Sequence, residues 1–224
     1  MIWRLWKAWS RFWAADQCLS ALLVLLVVVI FVLPLFVRPG TFVRSANDVV
    51  LSLLLVTGAA VVSSERRLLR DMVSACTIVT LYARWVHWLV PPADLVQWYA
   101  VSRLIALSTL ALVVLVQVFR RGPVTFHRIQ GAIAVYLLLG LTWANAYELM
   151  SLLHPGAFAG AVPDHGTLQH WIYYSFVTLT TVGYGDVTPV HPAARSLAML
   201  EALIGQLYPA ILASAPCITG SRIT

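Results

Sequence analysis

Thr180-Thr181-Val182-Gly183-Tyr184-Gly185-Asp186 is the stretch whose reading decides the fold. It is the only long polar and glycine-bearing run set between two hydrophobic segments, residues 168–180 before it and 192–214 after it. The segment before it, as a helix, reaches only about 18–20 Å at 1.5 Å per residue. That is too short to cross a bilayer, for which about 20 apolar residues are needed. A half-length helix, a polar turn and a full-length helix together read as a re-entrant loop, tolerated at membrane depth where protein surrounds it. The C-terminal end of the half-helix brings negative dipole to the polar turn. Gly183 and Gly185 can take positive φ without a Cβ clash. Alone, Gly-Tyr-Gly-Asp is also an ordinary tight turn; seven residues in this setting are more specific.

The run Thr181 to Gly185 reads T-V-G-Y-G. With it the chain resembles the six-span bacterial potassium channels of the voltage-gated-like superfamily. The likeness is tight over residues 178–186, looser over 126–214, and elsewhere confined to the number and arrangement of spans. It implies that the carbonyls of Thr181, Val182, Gly183 and Tyr184, with the Thr181 hydroxyl, replace the hydration shell of potassium. Gly185 completes that filter backbone, Val182 and Tyr184 pack behind it, and Asp186 joins a carboxylate ring at the outer mouth. The resemblance also implies four chains around one axis, a homotetramer, with potassium ions in the filter and no organic cofactor. Gly205, twenty residues after Gly185, resembles the hinge glycine of an inner helix, and equally a packing glycine of the kind common in spanning helices. Tyr173 and Tyr174 stand where the family often has aromatics bracing the filter tyrosine; interfacial placement explains them as well.

Composition sets the class. Of 224 residues, 60% are hydrophobic and 11% charged, against about 25% charged in soluble domains. The fold class expected is an all-α integral membrane protein. The net charge of +6 lies in short Lys/Arg clusters between apolar runs; these carry topology and do not read as nucleic-acid binding. Cys18, Cys76 and Cys217 are widely spaced, with no C-x-x-C pair, so neither a disulfide framework nor a zinc site is expected. No triad, carboxylate pair or nucleotide-binding loop is present, which argues against an enzyme.

Outward from the motif, six transmembrane helices are expected, at about residues 18–37, 47–63, 72–90, 95–119, 126–153 and 192–214. Residues 1–17 read as an interfacial amphipathic helix, with Trp3, Trp6, Trp9 and Trp13 on one side and Arg4, Lys7 and Arg11 on the other. Residues 18–121 form a four-span sensor-like or support domain, 122–214 a pore domain and 215–224 a short tail. No soluble ligand-binding domain is expected in the chain. Arg4, Lys7 and Arg11, then Arg66, Arg67 and Arg70, then Arg120, Arg121 and Arg128 fall in alternate loops. That places both termini in the cytoplasm of a multi-pass protein of the inner membrane, in contact with the lipid bilayer. Gly140 and Ala144 allow close helix approach. Glu201, a carboxylate within a span, is a functional candidate or a locally paired residue behind the motif.

The function expected is passive, potassium-selective conduction. A voltage-gated or weakly selective cation channel and a non-conducting regulatory subunit share this scaffold and remain open. A secondary transporter is disfavoured, since those show paired broken helices in two halves of a chain. The fourth span holds Arg103 alone. Asp48, Arg84, His87 and Arg103 all fall toward the outer part of the first four spans, where a static charge cluster is expected. One arginine in each of four subunits supplies at most about 9 kcal/mol per 100 mV, against the tens available to a multi-arginine sensor. Conductance of the reconstituted protein in symmetric potassium should therefore vary shallowly with voltage; a steep curve would rule out the static role of Arg103.

Overall fold

The computed structural model describes residues 19–32, 93–119, 126–161 and 168–220, with scattered positions between 35 and 82. The surface helix expected over 1–17, most of the second and third spans, and Asp48, Arg84 and His87 lie outside the described residues. The elements in order are α1 (Leu19–Val32), α2 (Ala93–Val118), α3 (Phe126–Leu153), β1 (Phe158–Gly160), α4 (Leu168–Leu179), β2 (Val187–Pro189) and α5 (Pro192–Gly220). Among the described residues, α2, α3 and α5 are long and apolar enough to cross a membrane. The chain divides into two compact units, Met1–Leu138 and Leu139–Thr224.

In the first unit α2 buries Ala106, Leu107, Leu110, Ala111 and Val114, the three-and-four spacing of one helical stripe. Arg103 sits in the same stripe, buried, with its guanidinium 5.3 Å from the Tyr99 ring centre, a cation–π placement. Gly131 lets α3 meet its neighbours closely: a Cβ there would lie 2.9 Å from Val118 and 3.5 Å from Leu19. Arg128 closes the end of α2 by donating from Nε to the Val118 carbonyl at 2.6 Å, one of the carbonyls a helix end leaves without a donor. Thr80, helical and buried, points its hydroxyl at the Ser102 carbonyl of α2, 3.4 Å away.

The second unit is built around α4. Its buried positions Leu168, Trp171, Ile172, Ser175 and Leu179 follow helical periodicity and face inward. Gly140 of α3 is the close-approach point, because a Cβ there would fall 2.5 Å from the Phe176 ring. Gly140 thus admits the short helix α4. α5 begins at Pro192, a residue suited to the first helical turn, and His191 accepts the Ala193 N–H on Nδ1 at 3.2 Å.

Beyond the sequence reading, β1 and β2 pair antiparallel, with Phe158 opposite Pro189, Ala159 opposite Thr188 and Gly160 opposite Val187. The ribbon ties the loop after α3 to the residues leaving the Thr180–Asp186 turn. Ala161 donates to the Asp186 carbonyl at 2.9 Å, and Val190 and His191 both donate to Ala157. Gly160 has φ +106°, and a Cβ on it would overlap the Asp186 carbonyl oxygen. Gly160→Ala should therefore unpair the ribbon and cost at least about 1–2 kcal/mol, the penalty of a left-handed L-residue alone. Thermal unfolding in detergent measures this; an unchanged midpoint would mean the ribbon contributes nothing to stability.

Candidate functional site

The turn after α4 has a regular backbone. Positive φ recurs at every second residue: 59° at Thr181, 57° at Gly183 and 79° at Gly185. Alternation of left- and right-handed residues gathers successive N–H groups on one side of the strand and leaves the carbonyls on the other. The hydrogen bonds agree. Val182 and Gly183 both donate to the Val177 carbonyl, at 3.0 and 3.2 Å, and Thr181 donates to Thr178 at 2.9 Å. The N–H groups of Thr181, Val182 and Gly183 therefore point back into the end of α4. The carbonyl side faces away from it, and every residue from Thr180 to Asp186 is exposed within the chain. A β-branched residue at positive φ persists only where its surroundings over-determine it, at a cost of order 1–3 kcal/mol. Thr181 is the one such residue among those described.

Behind the turn, polar groups lock three helices together. Glu201 of α5 has no exposed surface. Its carboxyl accepts from the Tyr147 hydroxyl of α3 and lies against the Ser175 hydroxyl of α4, each at 2.5 Å. Ser175 also reaches the Gly140 carbonyl at 2.8 Å. One turn along α5, Gly205 packs so tightly on α4 that a Cβ would overlap the Leu179 carbonyl oxygen. Position 209 is proline, which has no N–H for the Gly205 carbonyl. Above this, Tyr147, Phe158, Trp171 and Tyr174 form an aromatic cluster, with Tyr147 and Tyr174 edge to face at 4.8 Å.

The predicted residues fall into place unevenly. Thr181, Val182, Gly183, Tyr184 and Gly185 form one exposed strip ending at Asp186. Val182 and Tyr184 keep 53% and 71% of their surfaces exposed, so nothing in a single chain covers them. The Asp186 carboxylate beside Tyr173 raises the phenol's pKa above its usual value. Tyr174 turns instead into the aromatic cluster. Burial holds His170 below the ordinary imidazole pKa, opposed by the charge of Asp186. Gly205 lies at the α4 contact, and Glu201 is paired locally. Sequence reasoning missed the left-handed Thr181, the Tyr147 and Ser175 partners of Glu201, and Gln206, whose Nε2 donates to Thr181 Oγ1 at 3.2 Å. The spacing of Gly205 and Pro209, one carbonyl and the proline that fails to bond it, was a readable signal. Among the described residues no cluster of His, Cys, Asp or Glu could hold a metal ion; the oxygens on offer are those of the turn.

Residues 132–215 match a protein family described as Ion channel. The chain is 35% identical over 79 residues to Two pore potassium channel c of Oryza sativa subsp. japonica, covering 35% of this chain and 16% of the relative. It is 33% identical over 84 residues to Inward rectifier potassium channel Kirbac3.1 of Paramagnetospirillum magnetotacticum, 36% of this chain and 25% of the relative. It is 33% identical over 92 residues to Protein LctB of Geobacillus stearothermophilus, 41% of this chain and 63% of the relative. The chain thus spans less than two thirds of the length of each of these relatives. No solved structure matches.

The Glu201 cluster yields a graded expectation. Glu201→Leu leaves the buried Tyr147 hydroxyl without its acceptor, at about 1–3 kcal/mol, and leaves Ser175 with the Gly140 carbonyl alone. Glu201→Gln keeps an acceptor for Tyr147 and offers Ser175 a donor, so it should destabilise by less than half as much. Unfolding of the two variants in detergent ranks them; equal losses would show that the hydrogen bonds are not what Glu201 contributes.

Proposed function

We propose that the chain is one subunit of a potassium-selective channel that conducts passively through a homotetrameric pore. The observation that carries this reading is the alternating backbone of Thr181 to Gly185, its N–H groups tied to α4 and its carbonyls on the free side. Dehydrated potassium needs closely set oxygens in place of water. One such strip supplies one wall, and four chains about an axis supply rings. The exposed surfaces of α5 and of the strip favour such an assembly. Only 17% of the apolar window of α5 is buried within the chain, against 50% for α3. Two of the similar proteins are named as potassium channels, which supports the choice of ion.

In this reading the ion path runs past the Thr181 hydroxyl and the carbonyls of Thr181, Val182, Gly183 and Tyr184, and Asp186 rings the outer mouth. Residues 122–214 make the pore domain and residues 18–121 a support domain within a six-span subunit. The static cluster of Asp48, Arg84, His87 and Arg103 belongs to that support domain, and gating is not steeply voltage-dependent. Gly205 serves as the gating hinge, helped by the missing bond from Pro209. Both termini lie in the cytoplasm, in a cell inner membrane.

The test is flux from liposomes holding purified protein, with potassium and sodium gradients compared. Wild type should pass potassium and exclude sodium. An added Cβ at Gly183 meets nothing within 4 Å in the chain, so Gly183→Ala acts through the backbone, disfavouring the left-handed state by about 1–2 kcal/mol per subunit. Potassium flux should be lost while assembly is retained. Selective flux at the wild-type rate in Gly183→Ala would refute the carbonyl assignment.

A further inference from the structure

Gln206 has no place yet in the account of the pore. Along the exposed residues of α5 from 199 to 213 it is the only polar side chain, among Met199, Leu200, Leu203, Leu207 and Ile211. Its amide does not point at random. Nε2 donates to the Thr181 hydroxyl oxygen at 3.2 Å. That reach depends on the residue before it, since only a glycine at 205 lets α5 come so near the end of α4. The acceptor is held just as firmly. Thr181 sits at φ 59° with its N–H bonded to Thr178.

We propose that Gln206 is a positioning residue for the innermost cation ligand, setting the orientation of the Thr181 hydroxyl and so the strength of the site it forms. The inference rests on the conduction reading above. A hydroxyl oxygen has one proton and two lone pairs. With the Gln206 amide on one lone pair, the proton is barred from that direction and the rotor loses a third of its freedom. The remaining lone pair is available to a cation. With the amide in place a cation pins the proton to one of two directions; without it the cation excludes only one direction of three, so the amide weakens the site.

Barium ion, doubly charged, reports the strength of such a site as block of potassium current. Two side chains of similar length to glutamine make the test. Gln206→Met removes the donor and should tighten barium block about threefold, a factor of about 4/3 at each of four hydroxyls. Gln206→Glu makes the hydroxyl donate to a carboxylate, turns both lone pairs outward and adds negative charge; block should tighten about tenfold or more. A residue that merely filled space would leave block unchanged in Gln206→Met, whose side chain has similar length. Gln206→Asn, an amide without the reach, should follow Gln206→Met and serves if the latter fails to assemble. In a Thr181→Ala background the Gln206→Met change should vanish, since the pair is already broken. Wild type that conducts potassium, with barium affinity unchanged or weakened in Gln206→Met, overturns the role of Gln206 alone. Wild type that passes no potassium overturns the conduction reading and this inference with it.

Discussion

A carboxyl group with no surface of its own, held between a phenol on one helix and a hydroxyl on another, fixes the place where three helices meet. Glu201 can be buried there only because Tyr147 and Ser175 meet it with hydrogen bonds; an unpartnered carboxyl in an apolar interior is among the most costly groups a fold can contain. The same pairing sets depth and rotation. Ser175 belongs to the inward stripe of α4, so bonding it to α5 fixes which face of α4 turns outward. The residues that follow α4 inherit that orientation.

The exposed strip is therefore a dependent structure. Its N–H groups need the Val177 carbonyl, and that carbonyl is where the α4 register puts it. At its other end the Asp186 carbonyl is tied by Ala161, beside the β1–β2 ribbon. Fixed at both ends, the strip can keep a threonine in the left-handed region and present oxygens without rearranging. Preorganisation of that kind is what a site needs if it is to replace an ion's water at little cost in reorganisation.

Much of this was legible in the sequence, for physical reasons that can be named. α3 occupies Phe126–Leu153, as expected, because a largely apolar run is bounded by Gly122-Pro123 on one side and Pro155-Gly156 on the other. α4 was legible through its length, too short to span and too apolar for a loop. The two glycines at positive φ followed from their lack of a Cβ. Thr181 did not, because nothing local asks a β-branched residue to enter that region; the hydrogen bonds from the end of α4 do. The ribbon escaped notice because three-residue strands are too short to show alternation. Glu201 was readable as a buried carboxylate, but its partners stand 54 and 26 residues away, and no helical period links them. The first half of the chain offered charge patterns whose outcome depends on Asp48, Arg84 and His87.

The contact between Gly205 and Leu179 also has a mechanical meaning. From Pro192 to Gly205, α5 is gripped, first by the Glu201 bonds and then by a backbone contact with no room to slide. Past that point Pro209 withholds a ladder bond, and the exposed residues outnumber the buried ones. In the proposed channel the helix would be a lever with its fulcrum at the glycine and the arm beyond it as the part that swings. Gln206 sits beside that fulcrum, so a swing of the long arm moves its amide little in distance but turns it in angle. Bending of this helix would then be felt at Thr181 as a change in hydrogen-bond geometry, without displacing the strip itself.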